Sequence, residues 1–506
     1  MCGGLRISDA KKFRISNTIV STSVMSILMN RHECELNRHE YDIETVESTR
    51  AFEFSYPVVI VGGGACGLCA AIAASDSGKE VLLIEQDDRL LGTTGMSTGL
   101  IPAAGTPEQV TAGIDDSAEL FSADIQKKAQ NNADRDLVDH LAKESAETVA
   151  WLRDKHGVPL TLLDGFTYPG HSAKRMYGTP GRSGAELMVA LESAAIKNSV
   201  DILTSATVED LFVDAQHKVL GVRVVRPGGE VEEIGCGALI LACCGFAGNQ
   251  EMIDKYIPEM SKATFHGHPG NKGHAIKWGE SMGAELADMS AYQGHGGLAS
   301  GHGIPILWPL IMEGGFQVNK EGRRFSDESK GYSEQAVNVI SQTNGVAWSM
   351  FDQRLYELMM QFEDFRGAVE AGAITKAESI EELADLNKLP HEQLLETFAD
   401  VQACVLGTKE DEFGRVFDSK PALKPPYYAA KVTGALFHTQ GGLAVDVEAR
   451  VLKASSGQPF PNLFAGGGAA RGVSGNSAAG YIAGNGLLTA TSLGKIAGRC
   501  ATKLTD

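Results

Sequence analysis

The clearest pattern in the chain is an unbroken apolar run, Pro57-Val-Val-Ile-Val61, which gives way to Gly62-Gly-Gly-Ala-Cys-Gly67 and then to an Ala-rich stretch ending near Ser77. A strand buried on both faces has no polar side to show, so this run predicts a strand, a tight glycine turn and a helix in succession. Gly78 stops the helix, and Val81-Leu-Leu-Ile84 predicts a second buried strand that ends at Glu85. Residues 108–156 predict helices, with Leu137, Leu141 and Trp151 on apolar faces. The stretch 201–225 predicts short strands ahead of a Pro-Gly-Gly turn, and Ala238-Leu-Ile-Leu-Ala242 predicts another buried strand.

The pattern changes near residue 276. The Gly- and His-rich segment from Gln293 to Gly303 predicts mobile loops, residues 350–404 predict acidic helices, and a Pro-rich exit, KPALKPPYY, follows. After 431 the Gly-rich, strand-like character returns. These shifts divide the chain into an N-terminal extension (1–50), the first part of a main domain (51–275), an inserted α+β unit (276–430) and the return of the main domain (431–506). The acidic run from Glu357 to Glu396 reads as a solvated helical surface.

Composition narrows the classes. With 506 residues, 43% apolar and 22% charged, the chain has the make-up of a globular protein of several domains, and disorder, coiled coil and collagen are excluded. A net charge of −19 argues against nucleic acid or an anionic membrane surface as partner. No apolar stretch is long enough for a transmembrane helix, and the Thr18–Met29 run, broken by Ser and Thr, lacks a signal-peptide cleavage site. The 9 cysteines are an odd number, several in apolar or Gly-rich segments, which fits reduced thiols and a cytoplasmic setting. Cys66-x-x-Cys69 and the adjacent Cys243 and Cys244 read as packing residues, and no metal-ligand spacing is found. Glycine is in excess, at 58 residues, and clusters.

The clusters carry the chemistry. Strand, Gly62-x-Gly64-x-x-Gly67, helix, strand and Glu85 form the dinucleotide-binding fingerprint. Gly62 permits the tight turn, Gly64 lets the backbone approach a pyrophosphate, and Gly67 lets helix and strand pack closely. The free N–H groups and dipole of the helix start at Ala65 complement the phosphate charge, and Glu85 suits ribose hydroxyls. A second loop, Leu91-Gly92-Thr93-Thr94-Gly-Met-Ser97-Thr-Gly99, extends along a longer cofactor, with Val208 and Gly245 as further candidate contacts. At the far end, Asn462-Leu-Phe-Ala-Gly-Gly467 precedes Gly484-Asn485-Gly-Leu487-Leu488, which opens a last helix. Backbone N–H groups at such a turn suit the pyrimidine end of a reduced flavin. FAD is therefore the expected cofactor, held non-covalently because no linking motif is present. The expected fold is α/β, a Rossmann-like FAD-binding domain of the glutathione-reductase type with an inserted α+β capping domain.

These residues resemble the fumarate reductase / 3-ketosteroid dehydrogenase superfamily of FAD enzymes over about residues 55–506. The matching pieces are VVIVGGGACG, ALILACCGF, GRRFSDES, HTQGGLAVD and NLFAGGG. The resemblance implies hydride exchange between flavin and one carbon of a C–C bond, with a side chain moving a proton at the adjacent carbon. In the fumarate reductases an Arg eight residues after the Arg of the Arg-Phe motif carries that proton; counted from Arg324, this position is Tyr332. A second Arg of those enzymes binds substrate carboxylate thirteen residues before a Gly of the final helix; counted back from Gly494, it is Tyr481.

Two tyrosines in these places are similar to the 3-ketosteroid dehydrogenases that introduce a double bond between ring carbons 4 and 5. By that resemblance Tyr481, with the backbone N–H of Gly484, holds a ketone oxygen and acidifies the neighbouring C–H. Tyr332, given a lowered pKa, then takes the proton. Those enzymes carry a Ser where this chain has Ala483. His438 matches the His that binds a substrate carboxylate in fumarate reductases, and Arg182 is a further candidate carboxylate ligand. The expected substrate is thus a steroid or a smaller cyclic oxo-acid such as 4-oxocyclohexanecarboxylate, desaturated next to its ketone. The alternatives are reduction of an activated alkene and an electron-transfer subunit without chemistry of its own. With no haem-attachment motif and no Cys run for an iron–sulfur cluster, electrons are expected to pass to oxygen, a quinone or a separate carrier.

Overall fold

The structure is a computed structural model that describes residues 42–417 and 420–505. The Thr18–Met29 run and most of the expected extension lie outside the described residues. The chain opens with β1 (Ile43–Thr45), β2 (Phe54–Val61), α1 (Ala65–Ser75) and β3 (Val81–Ile84), and continues through β4 (Asp201–Leu203), β5 (Thr207–Val213), β6 (Val219–Val225) and β7 (Val231–Leu241). The sheet they form runs β1-β5-β6-β7-β2-β3-β4, with β7, β2, β3 and β4 parallel. Val58–Val61 and Val81–Ile84 are buried without exception, as unbroken apolar runs require. β1 pairs with β5 in this sheet, so residues 43–45 belong to the main domain and not to an extension.

The end of the chain returns to the same sheet. Strand β11 (Pro459–Ala465) pairs in parallel with the C-terminal end of β7, and helix α4 (Asn485–Thr502) lies against α1. Their approach is backbone to backbone: a Cβ on Gly494 would sit 2.4 Å from the Cys66 carbonyl oxygen, and one on Gly498 2.1 Å from that of Ala70. Cys66 and Cys69 are buried in this contact.

A second lobe carries a six-stranded sheet centred on β10 (Tyr427–Thr439). Strands β8 (Tyr292–Ala299) and β9 (Val346–Asp352) pair with it antiparallel. Helix α2 (Tyr332–Ile340) packs on β8 and β10, and α3 (Glu363–Glu370) lies farther out in the same lobe. The boundary expected at 430/431 falls inside β10, because the Pro-rich turn signal precedes the strand and nothing punctuates its apolar run. The boundary expected at 275/276 also shifts, since Ala275, Trp278 and Met282 pack into the core of the first lobe.

Most of the segment expected to form mobile loops is strand, and only its end, residues 300–303, is an exposed turn. Tyr292–Ala299 is a buried strand, and its glycines serve close packing. A Cβ on Gly294 would lie 2.8 Å from the Ser333 carbonyl oxygen, and one on Gly296 2.8 Å from the Gln335 side chain. Glycine here brings α2 down onto the sheet. The same logic applies to Gly434 on β10, whose Cβ would meet the Ala336 carbonyl oxygen at 2.3 Å. Gly434→Ala is therefore expected to destabilise the protein by about 1–3 kcal/mol, read as a lowered Tm. Gly367→Ala, in α3 with nothing near its Cβ, is expected to raise stability by about 0.5–1 kcal/mol.

Candidate active site

One elongated cavity, with about 1840 Å³ of empty space partly open to solvent, runs from the start of α1 to the second lobe. At one end Gly62 takes a φ of +107°, and a Cβ there would sit 2.5 Å from the Ala242 carbonyl oxygen. Gly64 caps α1 with no side-chain hydrogen bond and no acidic residue in the first turn. The nearest group is Thr94 Oγ1, which faces the Ala65 N–H at 3.4 Å. At the other end Gly484, with φ +83°, caps α4 in the same bare way. Two helix starts, neither with an N-cap side chain nor with an acidic first turn, thus open on one cavity, a fit for the pyrophosphate and pyrimidine ends of FAD.

The loop after β3 closes the side of this cradle. Gly92, Thr93, Thr94 and Ser97 line the cavity with Gly62, Gly64, Ala65, Val208 and Gly467. Thr93 Oγ1 accepts from Asn271 Nδ2 at 2.9 Å, which ties the loop to the segment after α1 and β7. Glu85 also lines it; its carboxylate accepts the Gly63 N–H at 2.6 Å and the Asp87 N–H at 3.0 Å. Burial pushes the Glu85 pKa up, against these two hydrogen bonds.

Where the cavity enters the second lobe, aromatic groups surround Tyr332. The Tyr332 and Tyr481 ring centroids are 6.0 Å apart, His438 and Tyr481 5.7 Å, and His295 and Tyr332 5.1 Å. His295 stacks on Phe437 at 5.0 Å, and Trp308 meets Tyr332 edge-on at 6.1 Å. Tyr332 holds its place as the first residue of α2, pressed down by the glycines of β8. Tyr481 comes from the extended turn just ahead of α4, and His438 from the end of β10.

The two phenols are hydrogen-bonded, Tyr332 donating to Tyr481, whose oxygen also accepts the Gly486 N–H at the start of α4. Burial pushes the Tyr332 pKa well above its usual value, with the neighbouring Tyr481, Tyr168 and Glu334 adding to the rise. Burial likewise raises Tyr481, partly offset by those two hydrogen bonds. His295 is held neutral, its pKa down to about 3 through burial and the neighbouring His266. Burial also lowers His438, whose Nδ1 lies 3.1 Å from the Thr439 carbonyl and whose Nε2 faces Gly486.

Among the described residues that line the cavity there is no Arg and no Lys. Arg182 stands outside it, donating to Gln361 Oε1 at 3.1 Å with its guanidinium over the Phe362 ring. Four expected cofactor contacts also fall elsewhere. Gly67 packs under the turn, where a Cβ would strike the Gly62 carbonyl oxygen. Gly245 is wedged against Thr439, Leu488 points into the core, and Asn485 is fully buried with Nδ2 donating to Ser474 Oγ at 3.2 Å. Leu487, one residue before Leu488, lines the cavity as expected. His295, Trp308, Tyr168 and Asp364 are cavity residues that sequence reasoning missed. The repeated glycines around His295 were the available signal, since so many in one segment mark either loops or close backbone packing.

A family model described as FAD binding domain matches residues 57–487. A fumarate reductase (cytochrome) of Shewanella frigidimarina is 30% identical over 448 residues, spanning 88% of this chain and 77% of that protein. Among solved structures, the open conformation of a flavocytochrome c3 fumarate reductase aligns with a TM-score of 0.76 at 27% identity, over 98% of this chain and 83% of that one. The 3-ketosteroid-delta4-(5alpha)-dehydrogenase of Rhodococcus jostii, in complex with 4-androstene-3,17-dione, aligns with a TM-score of 0.71 at 23% identity, over 91% and 99% of the two chains. At that identity the second likeness is one of fold.

The bare start of α1 gives a direct test of the cradle. Gly64 has extended backbone (φ −73°), which aspartate adopts without strain, and Asp is a favoured helix cap. Gly64→Asp is expected to leave the far-UV circular dichroism and Tm intact while its carboxylate fills the anion position. The flavin-to-protein ratio after purification should fall by about tenfold or more.

Proposed function

The chain belongs to the FAD binding domain family, and within it we propose that this protein reduces a carbon–carbon double bond conjugated to an uncharged carbonyl. It is an FAD-dependent oxidoreductase acting on C=C bonds, in the superfamily of fumarate reductases and 3-ketosteroid dehydrogenases. The observation that carries the finer reading is the cationless cavity around a buried, protonated tyrosine pair. A dicarboxylate such as fumarate brings two negative charges, and burying them without a cation is prohibitively unfavourable. Neutral His295 and His438 do not supply one. The same reasoning disfavours the oxo-acid expected above, with Arg182 outside the cavity.

In this reading the Tyr481 hydroxyl, its oxygen already accepting from Tyr332 and the α4 N-terminus, donates to the substrate carbonyl. That hydrogen bond strengthens as enolate charge develops on the oxygen. FAD held in the first lobe and reduced by an external electron donor would supply the hydride that the β-carbon accepts. Tyr332 delivers a proton to the α-carbon, and the aromatic walls exclude water from both. Desaturation of a ring ketone runs the same path backwards and requires Tyr332 as a phenolate. Burial raises its pKa and no nearby cation lowers it, which supports the reductive direction. We further propose that the first lobe is a Rossmann-like domain and the second its cap, with the FAD held non-covalently.

The test uses protein whose flavin has been chemically reduced under anaerobic conditions. Adding 2-cyclohexenone or 4-phenylbut-3-en-2-one is expected to restore the oxidised flavin spectrum. Bleaching of oxidised enzyme by the saturated ketones, with no response to the enones, would reverse the direction; no response to either favours an electron-transfer subunit. Tyr332→Phe should slow the enone reaction by about 10²- to 10⁴-fold with flavin content unchanged. Because a raised phenol pKa keeps the proton on Tyr332 until pH climbs through that value, the wild-type rate should stay level between about pH 7 and 9.

A further inference from the structure

The proposed reduction leaves one cavity-facing group without a task. Asp364, in the first turn of α3, lines the cavity beside Tyr168. Among the described residues no hydrogen bond or ion pair reaches its carboxylate. The nearby guanidinium groups are committed elsewhere, Arg182 to Gln361 and Arg366 Nη1 to the Met360 carbonyl at 2.9 Å. Glu363, exposed in the same turn, already complements the dipole of α3, so that role does not require Asp364. Burial, with Glu363 beside it, pushes the Asp364 pKa up to about 6, and no cation offsets the rise. Asp364 is half-buried, so its carboxylate has lost part of its hydration without gaining a protein donor, and a ligand that supplies one makes good the loss.

Its position says where on the ligand that donor sits. Tyr481, Tyr332, Tyr168 and Asp364 all line the same cavity, Tyr481 hydrogen-bonded to Tyr332 and Asp364 close enough to Tyr168 to act on its charge. Asp364 is the carboxylate of this lobe that a substrate with its carbonyl on Tyr481 can meet at its other end, while Trp308 and His295 stand against Tyr332. We propose that Asp364 is a specificity residue whose carboxylate accepts a hydrogen bond from an O–H or N–H group at the end of the substrate remote from its carbonyl. The assignment rests on the placement of that carbonyl at Tyr481. It narrows the substrate class to uncharged-carbonyl alkenes that carry a distal hydroxyl or amine.

The experiment separates binding from turnover. Oxidised holoenzyme is titrated calorimetrically with 4-phenylbutan-2-one and with its 4-hydroxyphenyl, 3-hydroxyphenyl and 4-(aminomethyl)phenyl analogues; the last two arms vary donor position and charge. At least one donor-bearing ketone is expected to bind about tenfold to a hundredfold tighter than the phenyl compound. Asp364→Ala should bring that ratio to about one and leave phenyl binding unchanged, and the near-isosteric Asp364→Asn should keep part of it. Equal affinities in the wild type, no measurable binding of any donor-bearing ketone, or a preference that survives in both variants overturns the assignment. Selective, Asp364-dependent binding without reoxidation of reduced flavin by the unsaturated analogues upholds Asp364 and sinks the reductive reading. Reoxidation with equal affinities does the reverse.

Discussion

The contact on which the rest of the molecule depends is that of the two helices from opposite ends of the chain. Gly494 and Gly498, one turn apart on α4, sit directly on the carbonyls of Cys66 and Ala70 in α1. Any side chain there would force the helices apart. Their approach does more than bury apolar surface, because each helix begins at the cavity with no acidic side chain in its first turn to offset its dipole. Packed this closely, the two positive dipole ends act on a single ligand. The negative charge of an FAD pyrophosphate and of a reduced flavin ring can then be met by backbone alone.

That arrangement also shows how the cavity can meet negative charge on a cofactor with no Arg or Lys among its described lining residues. In the second lobe the glycines of β8 and β10 lower α2 until Tyr332 enters the aromatic box of His295, Trp308 and Tyr481. Low polarity keeps both phenols protonated and both histidines neutral. The box is therefore able to donate hydrogen bonds and a proton while offering no countercharge. The resemblance to the fumarate reductases implies arginines at these two positions, and tyrosines there would change which substrates can be desolvated as well as which group carries the proton.

Much of the first lobe was legible along the chain. The apolar runs at 57–61, 81–84 and 238–242 form buried parallel strands, and Gly62 and Gly67 make the turn and the close packing that their spacing implies. The second lobe was read less well for a physical reason. Gln293–Gly303 carries the composition of a loop, and only the presence of α2 above it makes Gly294 and Gly296 a packing surface, while Gly301 and Gly303 do lie in a turn. Leu487 and Leu488 show the same limit at single-residue scale, since a one-residue step on a helix turns a side chain by about 100°. Spacing finds the turn; the helix's rotation decides which neighbour faces the cavity.

The amino-acid sequence by itself determined the cofactor fold, the presence of two tyrosines at the positions of substrate arginines, and the superfamily. Those are properties of local pattern: periodicity, glycine spacing and motif order. Only the tertiary structure decided the protonation of Tyr332, the exclusion of Arg182 from the cavity and the unpartnered carboxylate of Asp364. Each of these depends on what lies across space from the group, because desolvation and charge pairing are set by neighbours that come from distant parts of the chain.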